Sequence, residues 1–368
     1  MPARAQDLLT DAVVIGAGPV GLFQVFQLGL QGLQAHVIDA LPALGGQCAQ
    51  LYGDKAIYDI PALPTCNGHE LVQRLVEQCA PFAPQWHLGQ LVSSLARQAD
   101  GRFEVTTAQG TRLLARTVFI AAGVGAFMPR PLALAGLEPF VGQQIFYAFN
   151  TADMLAGRQV VIHGGGETAV AQVIEVASLP AAQRPSSITL HHRRDAFEAP
   201  PDMLEQLHSL RQQGQVQVAI GQVTGLDIHP DTQQLRALTL LTPNGQTQQL
   251  PVDVLLVKLG LVPRLGPLAD WGLALERKQI EVNTATFATS SPGIYAVGDI
   301  VTYPGKRKLL VCGFHEATLA AFAAAEYLSG QTLPLEYTSS STRLQQRLGL
   351  LETAYKSAAY QKPTGSLP

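Results

Sequence analysis

Apolar residues run unbroken from 12 to 15 and lead straight into Gly16, Gly18 and Gly21. An apolar helix follows, and a second apolar strand over residues 35–38 ends on Asp39. This order predicts strand, tight turn, helix, strand, with the hydrophobic period changing at the glycines. Beyond Asp39, a segment rich in Gly and Pro carries Tyr52 and Tyr58 without either period and reads as a long, functional loop. A helix is expected over residues 69–79, short alternating strands around 88–94, 103–107 and 112–114, and a strand ending at Gly123. Residues 124–140 hold three prolines and no period, which marks a crossing into a second domain.

The same device then recurs. A strand over residues 159–163 enters Gly164, Gly165 and Gly166, and Glu167, Thr168 and Ala169 open a helix. The next strand, 187–191, runs into His192, Arg193 and Arg194 rather than an acid. A helix over about residues 202–213, a β-meander and the apolar run 252–260 complete the domain, and the chain is expected to return to the first one near Thr286. There a strand precedes Gly298 and Asp299, an Ala-rich helix starts near Gly313, and a polar cluster from Tyr337 leads into a short amphipathic helix. Beyond Leu351 the periodicity is lost, which predicts a flexible tail over 351–368.

Both glycine patterns fit the pyrophosphate of a dinucleotide. In the first, Gly16 makes the tight turn, Gly18 lets the backbone approach the phosphates and Gly21 lets helix pack on strand, while Asp39 stands where a carboxylate holds a ribose. The second reads GxGxxA, with Gly164 and Gly166 in the corresponding places and Glu167 and Thr168 at the helix start. Arg193 and Arg194 present planar guanidinium groups suited to a 2′-phosphate, which points to NADP. Two such patterns on one chain imply two bound nucleotides.

Composition narrows the class. A chain of 368 residues suggests two domains, and its 14 % charged residues, 34 glycines and 24 prolines describe a compact chain with many tight loops. The net charge of −3 argues for neither nucleic acid nor an anionic membrane as partner. No apolar run is long enough to span a bilayer, and the first residues hold no separate apolar segment, so a cytoplasmic protein is expected. Cys48, Cys66, Cys79 and Cys312 are scattered, form no CxxC and give no metal-site spacing; no metal is expected.

The motifs GAGPVGLF at Gly16, GGQCAQLYGDKAIYDIP at Gly45, GGGETA at Gly164, HRRDAF at His192, GIYAVGDI at Gly293, YPGKRKLLVCGFHEA at Tyr303 and YTSSSTRLQQRLG at Tyr337 together resemble one group. It is the ferredoxin–NADP reductases of the thioredoxin-reductase-like type, within the flavoprotein disulfide reductase superfamily. The resemblance extends to about Gly349. It implies an α/β fold of two Rossmann-like, three-layer nucleotide-binding domains with a C-terminal segment over the flavin. It also implies an FAD-binding domain over 1–123 and 286–350 and an NADP-binding domain over 124–285. Gly16, Gly18, Gly21, Asp39, Gln47 and Asp299 would hold FAD; Tyr52 and Tyr337 would stack on its two faces; Thr338 or Ser339 or Ser340 would lie near flavin N5. A homodimer and a ferredoxin or flavodoxin partner are likewise implied. Glu198 stands where relatives carry an arginine, which weakens strict NADPH preference.

The leading activity is therefore hydride transfer between NADPH and FAD coupled to single-electron exchange with ferredoxin or flavodoxin. Lys306, Arg307, Lys308, Arg343 and Arg347 are the expected docking cations for such an acidic carrier. A thioredoxin-type disulfide reductase needs two nearby cysteines, yet no cysteine lies between Gly123 and Thr286. An NADPH oxidase and a non-catalytic FAD-binding sensor or scaffold are the remaining alternatives.

Overall fold

The computed structural model describes residues 8–147 and 152–350. The chain opens with β1 (Leu8–Ile15), α1 (Pro19–Gln31) and β2 (Ala35–Asp39), followed by α2 (Gly46–Gln50) and α3 (Gly68–Cys79). Then come β3 (Gln85–Leu88), β4 (Val92–Arg97), β5 (Phe103–Thr107), β6 (Arg112–Ile120) and β7 (Ala126–Pro129). The second part holds β8 (Ile145–Phe146), β9 (Gln159–His163), α4 (Glu167–Ala177), β10 (Ser187–His192), α5 (Pro201–Gln212) and β11 (Gln217–Ile220). It continues through β12 (Gln222–Ile228), β13 (Leu235–Leu241), β14 (Thr247–Pro251), β15 (Val254–Val257) and β16 (Leu261–Arg264). The return carries β17 (Leu275–Glu276), β18 (Gln279–Glu281), β19 (Ile294–Ala296), β20 (Val301–Thr302), α6 (Leu310–Ser329) and α7 (Thr342–Arg347).

The chain forms two compact units, dividing between residues 127 and 128 and again between 262 and 263. In the first unit the sheet order is β3-β2-β1-β6-β5-β4, with β19 also on β6. The strands β3, β2, β1, β6 and β19 run parallel, while β5 and β4 form an antiparallel extension. Alternation along β1 splits its side chains between two cores. Ala12 and Val14 pack among α1, α3 and α6 residues, whereas Val13 and Ile15 face Val105, Leu268 and Ile280 on the other side. Covering on both faces explains why these strands read as continuous apolar runs.

The second unit has the parallel order β11-β10-β9-β15-β8. Val160 and Ile162 of β9 face the cluster built with α4 and α5, and Val161 faces the cluster containing Leu238 and Leu240 of the β12-β13-β14 meander. The return to the first unit comes at residue 263, earlier than the Thr286 expected from sequence. Leu268, Leu273 and Ile280 belong to the core that includes Val13, Ile38 and Val118, so residues 263–285 are tied to the first unit by burial. Within the expected long loop lies α2, too short for a hydrophobic period to reveal it. The tail expected over 351–368 lies outside the described residues.

Helix α1 packs so closely on residue 82 that Gly29 has no space for a side chain: a Cβ there would sit 2.2 Å from Phe82 Cγ. Gly29→Ala is expected to lower stability by about 1–3 kcal/mol, the usual range for overpacking, read as a reduced denaturant midpoint.

Candidate functional site

Three glycines at the start of α1 carry three different constraints. Gly16 has φ 108°, and a Cβ on it would lie 2.4 Å from the Ala121 carbonyl oxygen; a Cβ on Gly21 would lie 1.9 Å from the Gly16 carbonyl oxygen. Around Gly18, by contrast, nothing lies within 4 Å of the Cβ position. Gly18 is the N-cap of α1, with no side-chain cap, so the first N–H groups of the helix stand over open space. That is an anion cradle built into the backbone.

The open space is a cavity of about 670 Å³, whose wall includes Gly16, Gly18, Asp39, Gln47, Tyr52 and Asp299. Six predicted residues are thus brought together from five separate stretches, while Gly21 works beneath them, between helix and strand. Asp39 holds both sides of the turn: Oδ2 accepts from the Ala17 N–H at 2.6 Å and Oδ1 from the Leu41 N–H at 2.8 Å. Burial raises its pKa, and the two N–H donors oppose that rise. Tyr52 is 49 % exposed, and the Lys55 ammonium stands 5.5 Å from its ring centroid.

Sequence reading missed Gln90 and Trp271, which also line the cavity, as does Lys308, expected there only as a docking cation. The indole Nε1 of Trp271 is buried without a hydrogen-bond partner. A buried unpaired donor in a cleft wall suits a polar ligand, as does the empty cradle at Gly18. Both features fit a bound dinucleotide. Nothing in the motif pattern singles out Trp271, because its place depends on the packing of Leu268 beside it.

The C-terminal segment lies elsewhere. Tyr337, Thr338 and Ser339 are exposed and absent from the cavity wall. Helix α7 is fastened to the other end of α1, where Arg347 donates to the Leu30 carbonyl and Leu344 is buried. Leu30 is about 18 Å along the helix from Gly18, at 1.5 Å per residue. Within one chain, then, and contrary to expectation, Tyr337, Thr338 and Ser339 do not line the cavity, and the segment is held instead at the C-terminal end of α1, where Arg347 bonds the Leu30 carbonyl.

The expected docking cations also separate. Lys306 is 7 % exposed at its side chain and ion-paired at 2.5 Å with Glu316, which is fully buried. Arg343 pairs with Glu336, and Arg347 is committed to α1. Arg307 and Lys308 remain exposed, Lys308 at the cavity wall. Glu316 also accepts from the Tyr303 hydroxyl at 2.8 Å and from the Gly298 N–H at 2.7 Å. Burial, and then the hydrogen bond to this carboxylate, push the Tyr303 pKa well above its ordinary value.

In the second unit the glycine loop repeats the same logic. A Cβ on Gly164 would lie 2.2 Å from the Lys258 carbonyl oxygen, whereas Gly166, the N-cap of α4, faces open space. Ala169 is fully buried beside Gly164, which is why alanine suffices at the third position. Glu167 and Thr168 are exposed at the helix start. Arg193 and Arg194 are exposed with no side-chain partner among the described residues, while the adjoining Asp195 is held by Arg211 through two contacts of 3.1 Å. The Glu198 N–H donates to the Gly165 carbonyl at 2.8 Å, so this residue is pinned to the glycine loop through its backbone.

Beneath that loop lies a buried histidine pair, His163 and His191, with Nδ1 atoms 2.6 Å apart. His191 Nε2 donates to the Gly221 carbonyl at 3.1 Å, which leaves its Nδ1 as acceptor and assigns the shared proton to His163 Nδ1. Burial lowers the pKa of His163 to about 3 and that of His191 to about 4.

Two glycine-cradled α/β modules, each with an open helix N-terminus, define a two-nucleotide oxidoreductase fold. The pattern of the pyridine nucleotide-disulphide oxidoreductases matches residues 10–324, and the chain belongs to that family. It is 59 % identical over 352 residues to a protein of Acidovorax sp. (strain JS42) named ferredoxin–NADP reductase, covering 95 % of this chain and 98 % of that one. A protein of the same name from Verminephrobacter eiseniae is 58 % identical over 344 residues, covering 93 % and 97 %. Among solved structures, a thioredoxin reductase from Gloeobacter violaceus shares the fold with a TM-score of 0.56 at 19 % identity, covering 90 % of this chain and 98 % of the other.

Gly18→Ala, which meets no atom in the structure, is expected to leave the unfolding midpoint unchanged and to weaken dinucleotide binding. Gly21→Ala is expected to lower the midpoint as well. Thermal unfolding beside fluorescence titration separates the two. For the histidine pair, both folded-state pKa values lie below the unfolded value of 6.5, so the unfolded chain binds more protons below that pH. Stability is full above pH 6.5 and falls as pH drops towards 4, by up to about 1.4 kcal/mol per pH unit for each histidine. His36 and His87 shift in the same direction. Denaturation of the protein and of His163→Gln between pH 7.5 and 5 therefore isolates the share of His163, the variant giving the shallower slope.

Proposed function

We propose that the chain is a ferredoxin–NADP reductase, moving a hydride between NADPH and FAD and single electrons between FAD and ferredoxin or flavodoxin. The observation that carries this reading is end-to-end similarity to proteins of that name in a chain holding two separate dinucleotide cradles. FAD, when bound, couples two-electron to one-electron transfer. The first unit is the proposed FAD domain. There Gly16, Gly18 and the start of α1 would receive the pyrophosphate, Asp39 the ribose, Gln47 and Asp299 the flavin nucleotide, and Tyr52 one face of the ring. Gly21 would keep helix and strand in contact. In the second unit Gly164, Gly166, Glu167 and Thr168 would receive the NADP pyrophosphate, and Arg193 and Arg194 its 2′-phosphate. Arg211 supports that role by neutralising Asp195, the acid next to the arginines.

The cysteines disfavour a disulfide reductase. Cys48, Cys66 and Cys79 are buried, and burial raises their pKa values, that of Cys79 to about 12, away from the thiolate needed for exchange. An acidic carrier would meet Lys308 and Arg307 at the cleft. A homodimer is part of the proposal, and stacking by Tyr337, with Thr338 and Ser339 near the ring, would then require the segment of a second copy. Sedimentation at twice 39.3 kDa would support the dimer. Among the described residues no helix is long and apolar enough to cross a membrane, and we propose a cytoplasmic location.

The deciding experiment is NADPH-driven cytochrome c reduction with and without added ferredoxin: strong stimulation by ferredoxin is expected, and none would refute the reading. Anaerobic NADPH should bleach the flavin, whereas a scaffold would stay yellow. Arg193→Ala with Arg194→Ala is expected to weaken NADPH binding by on the order of a hundredfold, from two lost charge-assisted contacts, with little change for NADH. Equal loss for both nucleotides would remove the 2′-phosphate assignment.

A further inference from the structure

Glu316 is fully buried on α6, two turns from the helix start, and three donors converge on its carboxylate. Oε2 accepts from the Gly298 N–H at 2.7 Å, and Oε1 accepts from the Tyr303 hydroxyl at 2.8 Å and the Lys306 ammonium at 2.5 Å. Those donors belong to the two segments that supply one wall of the cleft. The turn at Gly298, with φ 82°, carries Asp299, and the stretch after Lys306 carries Lys308 and Leu309 and ends at Leu310, the first residue of α6; all five of these wall residues line the cavity. Helix α6 is itself pressed on the glycine end of α1, since a Cβ on Gly313 would lie 2.4 Å from Val20 Cγ2. One carboxylate therefore ties the wall to the helix that carries the phosphate cradle.

A buried ion pair is a poor source of stability, because desolvation offsets the attraction and an apolar pair often serves as well. Convergence of three donors from two separate segments is a geometric device instead. We infer that Glu316, paired with Lys306, is the positioning residue of the cofactor wall, fixing Asp299 and residues 308–310 against the flavin nucleotide. This rests on the flavoprotein reading above.

The chemistry dictates an unusual pattern of variants. In Glu316→Gln the amide nitrogen must face either the Gly298 N–H or the Lys306 ammonium, a donor against a donor. In Lys306→Met the carboxylate keeps its charge and loses its counter-ion. In the double variant the amide oxygen accepts from Gly298 N–H and its nitrogen donates to the Tyr303 oxygen, so complementarity returns without any charge.

The test measures FAD affinity by fluorescence on the purified full-length protein, with unfolding midpoints at saturating FAD and without added FAD. Each single variant is expected to weaken FAD binding at least about tenfold, and the double variant to return to within about threefold of the parent, a rescue that neighbouring sites in one network permit. Unchanged affinity with a lowered midpoint would show a role in fold stability alone and overturn the proposal, as would a double variant no better than the worse single one. Should a single variant not fold, Tyr303→Phe decides. It keeps the ion pair and is expected to weaken FAD about tenfold, from one lost charge-assisted hydrogen bond; unaltered affinity overturns the proposal. A parent protein that binds no FAD would instead refute the flavoprotein reading.

Discussion

The contact on which the first unit depends is that between Gly21 and the Gly16 carbonyl. With no room for even a methyl group between them, helix α1 meets the end of β1 closely enough to leave its first N–H groups over a cleft instead of a side chain. The α1–α6 packing, the α1–α3 packing and the position of the cavity all follow from where that helix starts.

The second unit solves the same problem with different atoms. Gly164 is forced by the Lys258 carbonyl, and Ala169 replaces the third glycine because its methyl is accommodated beside Gly164. The electrostatics then diverge at the next strand end. Asp39 satisfies two backbone N–H groups and remains at the cavity wall, whereas Arg193 and Arg194 stand free in solvent with their neighbouring acid neutralised by Arg211. Beside its glycine turn one module carries a carboxylate, the other two guanidinium groups.

Buried polar groups give each unit a centre that hydrophobic patterning does not describe. The Glu316 hub joins three segments around the first cleft, and the neutral histidine pair underlies the second glycine loop. In both, hydrogen bonds join the buried groups to one another, which a low-dielectric interior strengthens. Their consequences differ: the hub determines the geometry of a wall, and the histidines link folding to pH.

What the amino-acid order determined by itself was local. The strand that ends at Ile15, the left-handed turn at Gly16, the GxGxxA variant and the boundaries of α3, β5 and α5 are legible because each depends on one residue's backbone freedom or on a short local pattern. What only tertiary structure decided was partnership. Lys306 reads as a solvated docking charge until Glu316 arrives from a helix ten residues away, and Arg347 until the end of α1 captures it. Tyr337 belongs to a motif yet stands off its own chain's cleft, Trp271 lines that cleft without any motif, and residues 263–285 join the first unit through burial alone. A charge, an aromatic ring or a chain crossing takes its role from what packs against it, and no short periodic pattern in the sequence names those neighbours.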